Sequence, residues 1–203
     1  MTKPGVFILL LAVGSFILVS SSASGYPPAV GILASNRSCV VCHINNGPWT
    51  NEEHTIIDVL DAKTKDSLKR EDGSFLIEVS RGETYTVLTV IGSTAEEVSP
   101  PLRNSWLYID PSQIETSALS KFAPGWDVNL PMACRIVGDE FERYEGAQLT
   151  MLPMTVRPSD AARNSELELQ VMLTGGESVK GKPSEGLISN YYLRKVFLKV
   201  RED

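Results

Sequence analysis

Hydrophobic and polar residues alternate with a period of two along much of the second half of the chain. The clearest run is Glu166 to Leu173, where Leu167, Leu169, Val171 and Leu173 are apolar and Glu166, Glu168 and Gln170 are polar. Because successive side chains of a strand point to opposite faces, this run predicts a strand with one buried face. Val196, Leu198 and Val200 alternate in the same way with Lys195, Lys199 and Arg201. Residues 55–60, 74–79 and 84–91 are short β-branched or aromatic runs, separated by Asp72-Gly73 and Arg81-Gly82, and the last two predict a hairpin. Residues 105–109, 133–137 and 147–152 are further strand candidates, each closed by Gly, Pro or Asp. No stretch longer than about ten residues keeps a helical period. About seven to nine short strands with turn signals between them predict a mainly β domain over residues 55–203. The expected architecture is an antiparallel β-sandwich, immunoglobulin-like or related, with a barrel as the other arrangement of such strands.

The first 54 residues follow other patterns. Lys3, an apolar stretch from Val6 to Val19 and the small residues Ser21 to Gly25 predict a signal peptide over residues 1–25. Cleavage is expected near Gly25, the other reading being an uncleaved anchor. Either way the chain is exported, to the periplasm or outside the cell, and it touches a membrane only through a retained N-terminus. No Cys follows the apolar stretch where a lipoprotein would need one. Residues 26–54 open extended at Tyr26-Pro27-Pro28, hold two of the three Cys, and pass through a loop at Asn45-Asn46-Gly47-Pro48.

Composition narrows the function classes. With 203 residues, 42% hydrophobic, the chain is expected to form one globular domain, or one domain with a small appendage. A pI of about 5.1 argues against a nucleic-acid partner, since phosphate contacts need clustered Lys and Arg. Three Cys cannot supply a disulfide framework.

The chemistry concentrates in Cys39-Val40-Val41-Cys42-His43. Two thiols two residues apart on one turn can reach both vinyl groups of a haem, and the adjacent imidazole then faces the iron. Three other uses of these residues stay open. A thioredoxin-like redox pair needs a βαβ context that neither flank offers. A zinc site would have to recruit His54 as its fourth ligand, and a Cys39–Cys42 disulfide would close a strained small loop. The five residues resemble the haem-attachment motif of the c-type cytochromes. That resemblance implies one covalent haem c, with thioethers at Cys39 and Cys42 and His43 as proximal iron ligand, and makes residues 26–54 a short haem-attachment segment. Small soluble cytochromes c are helical and take a downstream Met as sixth ligand. This chain departs from them outside the motif.

The sixth ligand is therefore argued locally. His54, the second of two His, lies eleven residues beyond His43 across a Gly47-Pro48 loop and is the first candidate distal ligand; Met132 and Met154, each in an expected Leu-Pro-Met turn that can be aimed at the iron, are the fallbacks. Trp49 is the candidate haem-packing residue, while Trp106, Trp126 and Cys134 read as core. No hydrolytic constellation is present, so no enzyme is expected, and Asp139, Glu140, Glu142 and Glu145 form a solvated acidic face. The expected function is monohaem electron transfer in the cell envelope. The alternative is a haem-bearing structural or assembly subunit of a larger envelope redox complex. Charge shapes the expected partners. Residues 26–178 hold 12 basic and 22 acidic side chains, and residues 179–203 hold six and three. Glu52, Glu53, Asp58 and Asp61 near the haem segment predict a redox partner with a basic docking face.

Overall fold

The computed structural model describes residues 44–95, 97, 99–109, 125–129, 133–175 and 188–202. They form ten strands: β1 (Ile44–Asn45), β2 (Thr55–Asp61), β3 (Phe75–Ser80), β4 (Tyr85–Ser93), β5 (Arg103–Ile109), β6 (Trp126–Val128), β7 (Ala133–Ile136), β8 (Gln148–Pro158), β9 (Ser165–Thr174) and β10 (Ile188–Arg201). Two sheets face each other. The first runs β1-β10-β9-β5-β7, with β3 on the same edge of β10 as β1 but further along; the second runs β2-β4-β8-β6. The sandwich expected from the sequence is the fold observed.

Its core is made by the alternating residues. Leu167, Leu169, Val171 and Leu173 of β9 are fully buried, and Phe75, Ile77 and Val79 of β3 meet Val196, Leu198 and Val200 of β10 on the same inner face. Val87 and Ile91 of β4, with Met154 and Val156 of β8, close the core from the second sheet. A smaller apolar cluster lies on the outer side of that sheet, where Phe141 and Tyr144, flanking and closing a single 3-10 turn (Glu142–Tyr144), cover Ile56, Leu60, Val90 and Leu149. Beneath this turn Asp58 is buried and accepts hydrogen bonds from the Tyr144 hydroxyl, Ser67 Oγ (2.6 Å) and the Val59 amide (2.8 Å). Burial, and then the Asp58 carboxylate, hold the Tyr144 hydroxyl well above the ordinary tyrosine value.

Four sequence expectations are revised. β3 and β4 are not a hairpin: β3 pairs with β10 and β4 with β2 and β8, so the chain crosses between sheets at Arg81-Gly82. A Gly turn reverses the chain equally well in either geometry, and here Gly82 N donates to Pro158 O (2.7 Å) while Arg81 donates to the carbonyls of Ser159, Asp160 and Ala162. The pairing is not purely antiparallel, because β10 takes both β1 and β3 in parallel. β9 is buried on both faces towards its end, with Gln170, Met172 and Thr174 almost inaccessible. Leu152-Pro153-Met154 is not a turn but the middle of β8; Pro153 is accommodated opposite Leu88 beyond the reach of β6, which pairs only with residues 156–158.

Candidate functional site

Cys39, Cys42 and His43 lie outside the described residues, and so does Met132. The description begins at Ile44, the residue bonded to His43, and from there to Thr55 the chain crosses the open side of the sandwich from one sheet to the other. Of residues 44–54, read from the sequence as the tail of the haem-attachment segment, Ile44 and Asn45 join the first sheet and Trp49 joins the core.

Three successive contacts hold this crossing. Ile44 and Asn45 pair with Ile188 and Ser189 of β10, and Ser189 Oγ donates to the Ile44 carbonyl at 2.5 Å. The amides of Asn46 and Gly47 both donate to the Ser189 carbonyl, at 2.9 and 2.7 Å. Asn45 Oδ1 accepts from the Tyr191 amide at 3.0 Å. Gly47 lies so close to β10 that a Cβ there would stand 2.5 Å from Asn190 Oδ1 and 2.9 Å from the Ser189 carbonyl carbon. Only a residue without a side chain fits.

Trp49 then plugs the gap between the sheets. Its ring is 4% exposed and belongs to the main core. Its amide donates to Asn190 Oδ1 (2.7 Å), its indole Nε1 to Ser99 O (2.5 Å), and its carbonyl accepts from the Tyr192 hydroxyl. Tyr192 also meets Thr55 Oγ1 at 3.2 Å, so one side chain of the first sheet pins both ends of the loop's second half. Arg194 lies over the Tyr192 ring, 5.8 Å from its centre, and pairs with Glu52 at 3.1 Å.

His54 ends the loop. Its carbonyl accepts from the Thr94 amide (2.9 Å), and its Nδ1 lies 3.5 Å from Glu97 Oε2 with the side chain about one-third exposed. Iron- and zinc-bound imidazoles commonly have a carboxylate at the non-ligating nitrogen. Met154, by contrast, is fully buried in the sandwich core opposite Val87. Trp106 and Trp126 are core residues too, the latter donating to Arg163 O at 2.8 Å. Cys134 is a free thiol of intermediate exposure on the edge strand β7, less buried than an apolar segment suggests. In the acidic cluster, Asp139 Oδ2 accepts from the Met151 amide (2.6 Å), and among the described residues no group of three or more His, Cys, Asp or Glu is arranged to hold a metal ion.

The charged residues near the segment behave unequally. Asp58 is buried under Tyr144 and contributes no surface charge, whereas Glu52 is largely exposed. Asp61 accepts from Tyr85, which is the main reason its carboxyl sits below the ordinary value of 3.8. The residues that sequence reasoning missed are Ser189, Asn190 and Tyr192. Their one signal was a polar pair inside a stretch that continues into an alternating strand.

No protein-family model matches the chain, and neither does any curated protein. Among solved structures, it is similar to an ASH/PapD-like domain of human CEP192 at 11% identity and a TM-score of 0.36, over 80% of this chain and 96% of that one. It is also similar to a family 123 glycoside hydrolase from Clostridium perfringens at 9% identity and a TM-score of 0.29, over 64% of this chain and 23% of that one. At TM-scores this low, neither neighbour bears on what this chain binds or does.

Proposed function

We propose that this chain is an exported monohaem c-type cytochrome acting in electron transfer, with one haem c held by Cys39 and Cys42 and His43 as an axial ligand. The observation that carries the reading is the C-x-x-C-H run itself, whose last residue is bonded directly to the clamped segment at Ile44. Its donor set fits the group: two thiols for thioether bonds and an imidazole for iron. When bound, haem supplies one-electron chemistry at its iron. The protein's share is to hold the attachment point still, through Ser189, Asn190 and Gly47, and to offer His54, oriented by Glu97, as the distal ligand. Met154, fully buried in the sandwich core, could reach an iron only by leaving that packing and is the poorer candidate.

Charge supports a redox partner with a basic face near Glu53, which is exposed. Within the C-terminal segment, Arg194, Lys195 and Lys199 are paired to Glu52, Glu166 and Glu78 at 3.1, 3.0 and 2.6 Å.

The test is intact mass and a pyridine haemochrome spectrum of protein matured in an exporting host with a haem c assembly system. One covalently added haem is expected, low-spin when oxidised, turning high-spin in His54→Ala. A mature chain of apoprotein mass overturns the reading, and an unchanged spectrum in His54→Ala removes His54 from it.

A further inference from the structure

We propose that the cavity at the end of the sandwich where β3 and β10 finish binds a phosphate group, carried by a small molecule or by a lipid headgroup. Three segments line it: the end of β3 with the turn after it, residues 162–164 before β9, and the end of β10. Its volume is about 630 Å³, which admits a phosphate together with the group that carries it. Its lining holds four cations, Arg81, Arg163, Lys199 and Arg201, and two carboxylates, Glu78 and Glu202. Lys199 is spent on Glu78 at 2.6 Å, so three guanidinium groups stand against one carboxylate. This is a local excess of positive charge on a chain whose net charge is -6. A cavity of similar size over residues 138–148 is lined by four carboxylates and no cation, so the two cavities divide sharply by sign.

The donors are held in place without a ligand. Arg81 Nη1 donates to the carbonyls of Ser159, Asp160 and Ala162 at 3.3, 2.9 and 2.9 Å, and among the described residues its Nε and Nη2 protons have no acceptor. Arg201 Nη2 donates to the Glu78 carbonyl at 3.3 Å, which anchors one edge of that guanidinium and leaves the rest of it for a ligand. The Arg163 carbonyl accepts from Trp126 Nε1 at 2.8 Å and Ser165 Oγ at 3.0 Å. Its backbone is therefore pinned, while its exposed side chain has no hydrogen bond or ion pair among the described residues. Asn164 Oδ1 accepts from the Val200 amide at 3.0 Å, so its Nδ2 is the end left to donate. A hydrogen bond from Lys199, and then the charges of Lys199 and Arg201, hold the Glu78 carboxyl below its ordinary value, as a positive surrounding requires. Arginine selects the ligand class. A guanidinium offers a planar fork to two oxygens at once, and three of them around one cavity match a tetrahedral dianion better than a single carboxylate.

The experiment titrates inorganic pyrophosphate into the full-length protein at low salt by calorimetry, with Arg163→Ala, Arg201→Ala and, as an exposed control on the outer turn of the second sheet, Arg143→Ala. One saturable site is expected. Losing a charged donor should weaken it about tenfold or more in Arg163→Ala and Arg201→Ala, and less than about twofold in Arg143→Ala. Urea midpoints check that the variants are folded, and Arg163→Ala removes a side chain that holds nothing else among the described residues. Vesicles of phosphatidylglycerol separate the two sources of phosphate. Co-sedimentation that Arg163→Ala abolishes assigns a lipid headgroup, whereas pyrophosphate binding without co-sedimentation assigns a soluble phosphate compound. Neither probe binding overturns the proposal. So does binding that Arg163→Ala leaves unchanged, or that Arg143→Ala weakens as much, since the anion is then held elsewhere or by diffuse charge. None of these results depends on whether the chain carries haem.

Discussion

Gly47→Ala places one methyl group where the loop presses on β10. The new Cβ would meet Asn190 Oδ1 at 2.5 Å and the Ser189 carbonyl carbon and oxygen at 2.9 and 3.0 Å. Asn190 can turn its amide, but Ser189 is backbone within a strand paired to β9, so relief must come from lifting residues 46–49. Lifting breaks the Asn46 and Gly47 bonds to Ser189 O and the Trp49 amide bond to Asn190. At about 1 kcal/mol each the limit is about 3 kcal/mol, and partial relaxation brings the expected loss to about 2–3 kcal/mol, typical of overpacking. For a domain of this size that lowers Tm by about 5–10 °C. Gly73→Ala is the control: its φ of +80° strains any side chain, but nothing lies within 4 Å, so it should lose only about 1 kcal/mol. Urea unfolding measures the stabilities, and native-state hydrogen exchange at residues 46, 47 and 49 shows whether the loss is local. If Gly47→Ala unfolds within about 0.5 kcal/mol of wild type, with those amides still protected, the clamp does not hold the segment as described.

Two further outcomes follow from the packing. Met154→Ala should cost about 2–5 kcal/mol by urea titration while leaving the haem spectrum of the matured protein unchanged; a shift to high-spin would instead make Met154 the distal ligand. Burial raises the Tyr108 hydroxyl well above 10.0, against a smaller opposing effect of its hydrogen bond with Thr89. A raised value stabilises the fold fully below the ordinary tyrosine value and loses that contribution as pH climbs beyond it. Stability should therefore fall by about 1.4 kcal/mol per pH unit above pH 10 on account of this group, a slope that Tyr108→Phe removes in urea midpoints measured across that range.

Much of the fold was legible because alternation reports burial directly. β9 and the second half of β10 stand where period two put them, and β2, β3, β4, β5 and β7 lie within a residue or two of their predicted bounds. What alternation cannot report is the partner. β3 and β4 each showed the right faces, but a turn at Arg81-Gly82 serves a hairpin and a sheet-to-sheet crossing alike. β1 and β6, two and three residues long, are too short to carry any period. The clamp was invisible for a related reason: Trp49 and Asn190 are 141 positions apart, and a buried Asn is marked only by the backbone it satisfies. Trp49 looked like a cofactor neighbour from its nearness in sequence to His43. Its environment is set by Tyr192 and Ser99, which no local pattern connects to it.

The parallel seating of Ile44 and Asn45 on β10 also fixes the order in which the molecule is completed. A chain made amino end first presents Ile44 to Gly47 long before Ser189 and Asn190 exist to receive them. Throughout that interval the segment has no docking place, and closing so large a loop is slow compared with forming nearby contacts. The arrival of β10 then seats residues 44–47 on the sandwich. A nascent chain stopped before Ile188 should remain open to protease between Asn45 and Trp49, and its protection would appear only when the strand it waits for is supplied.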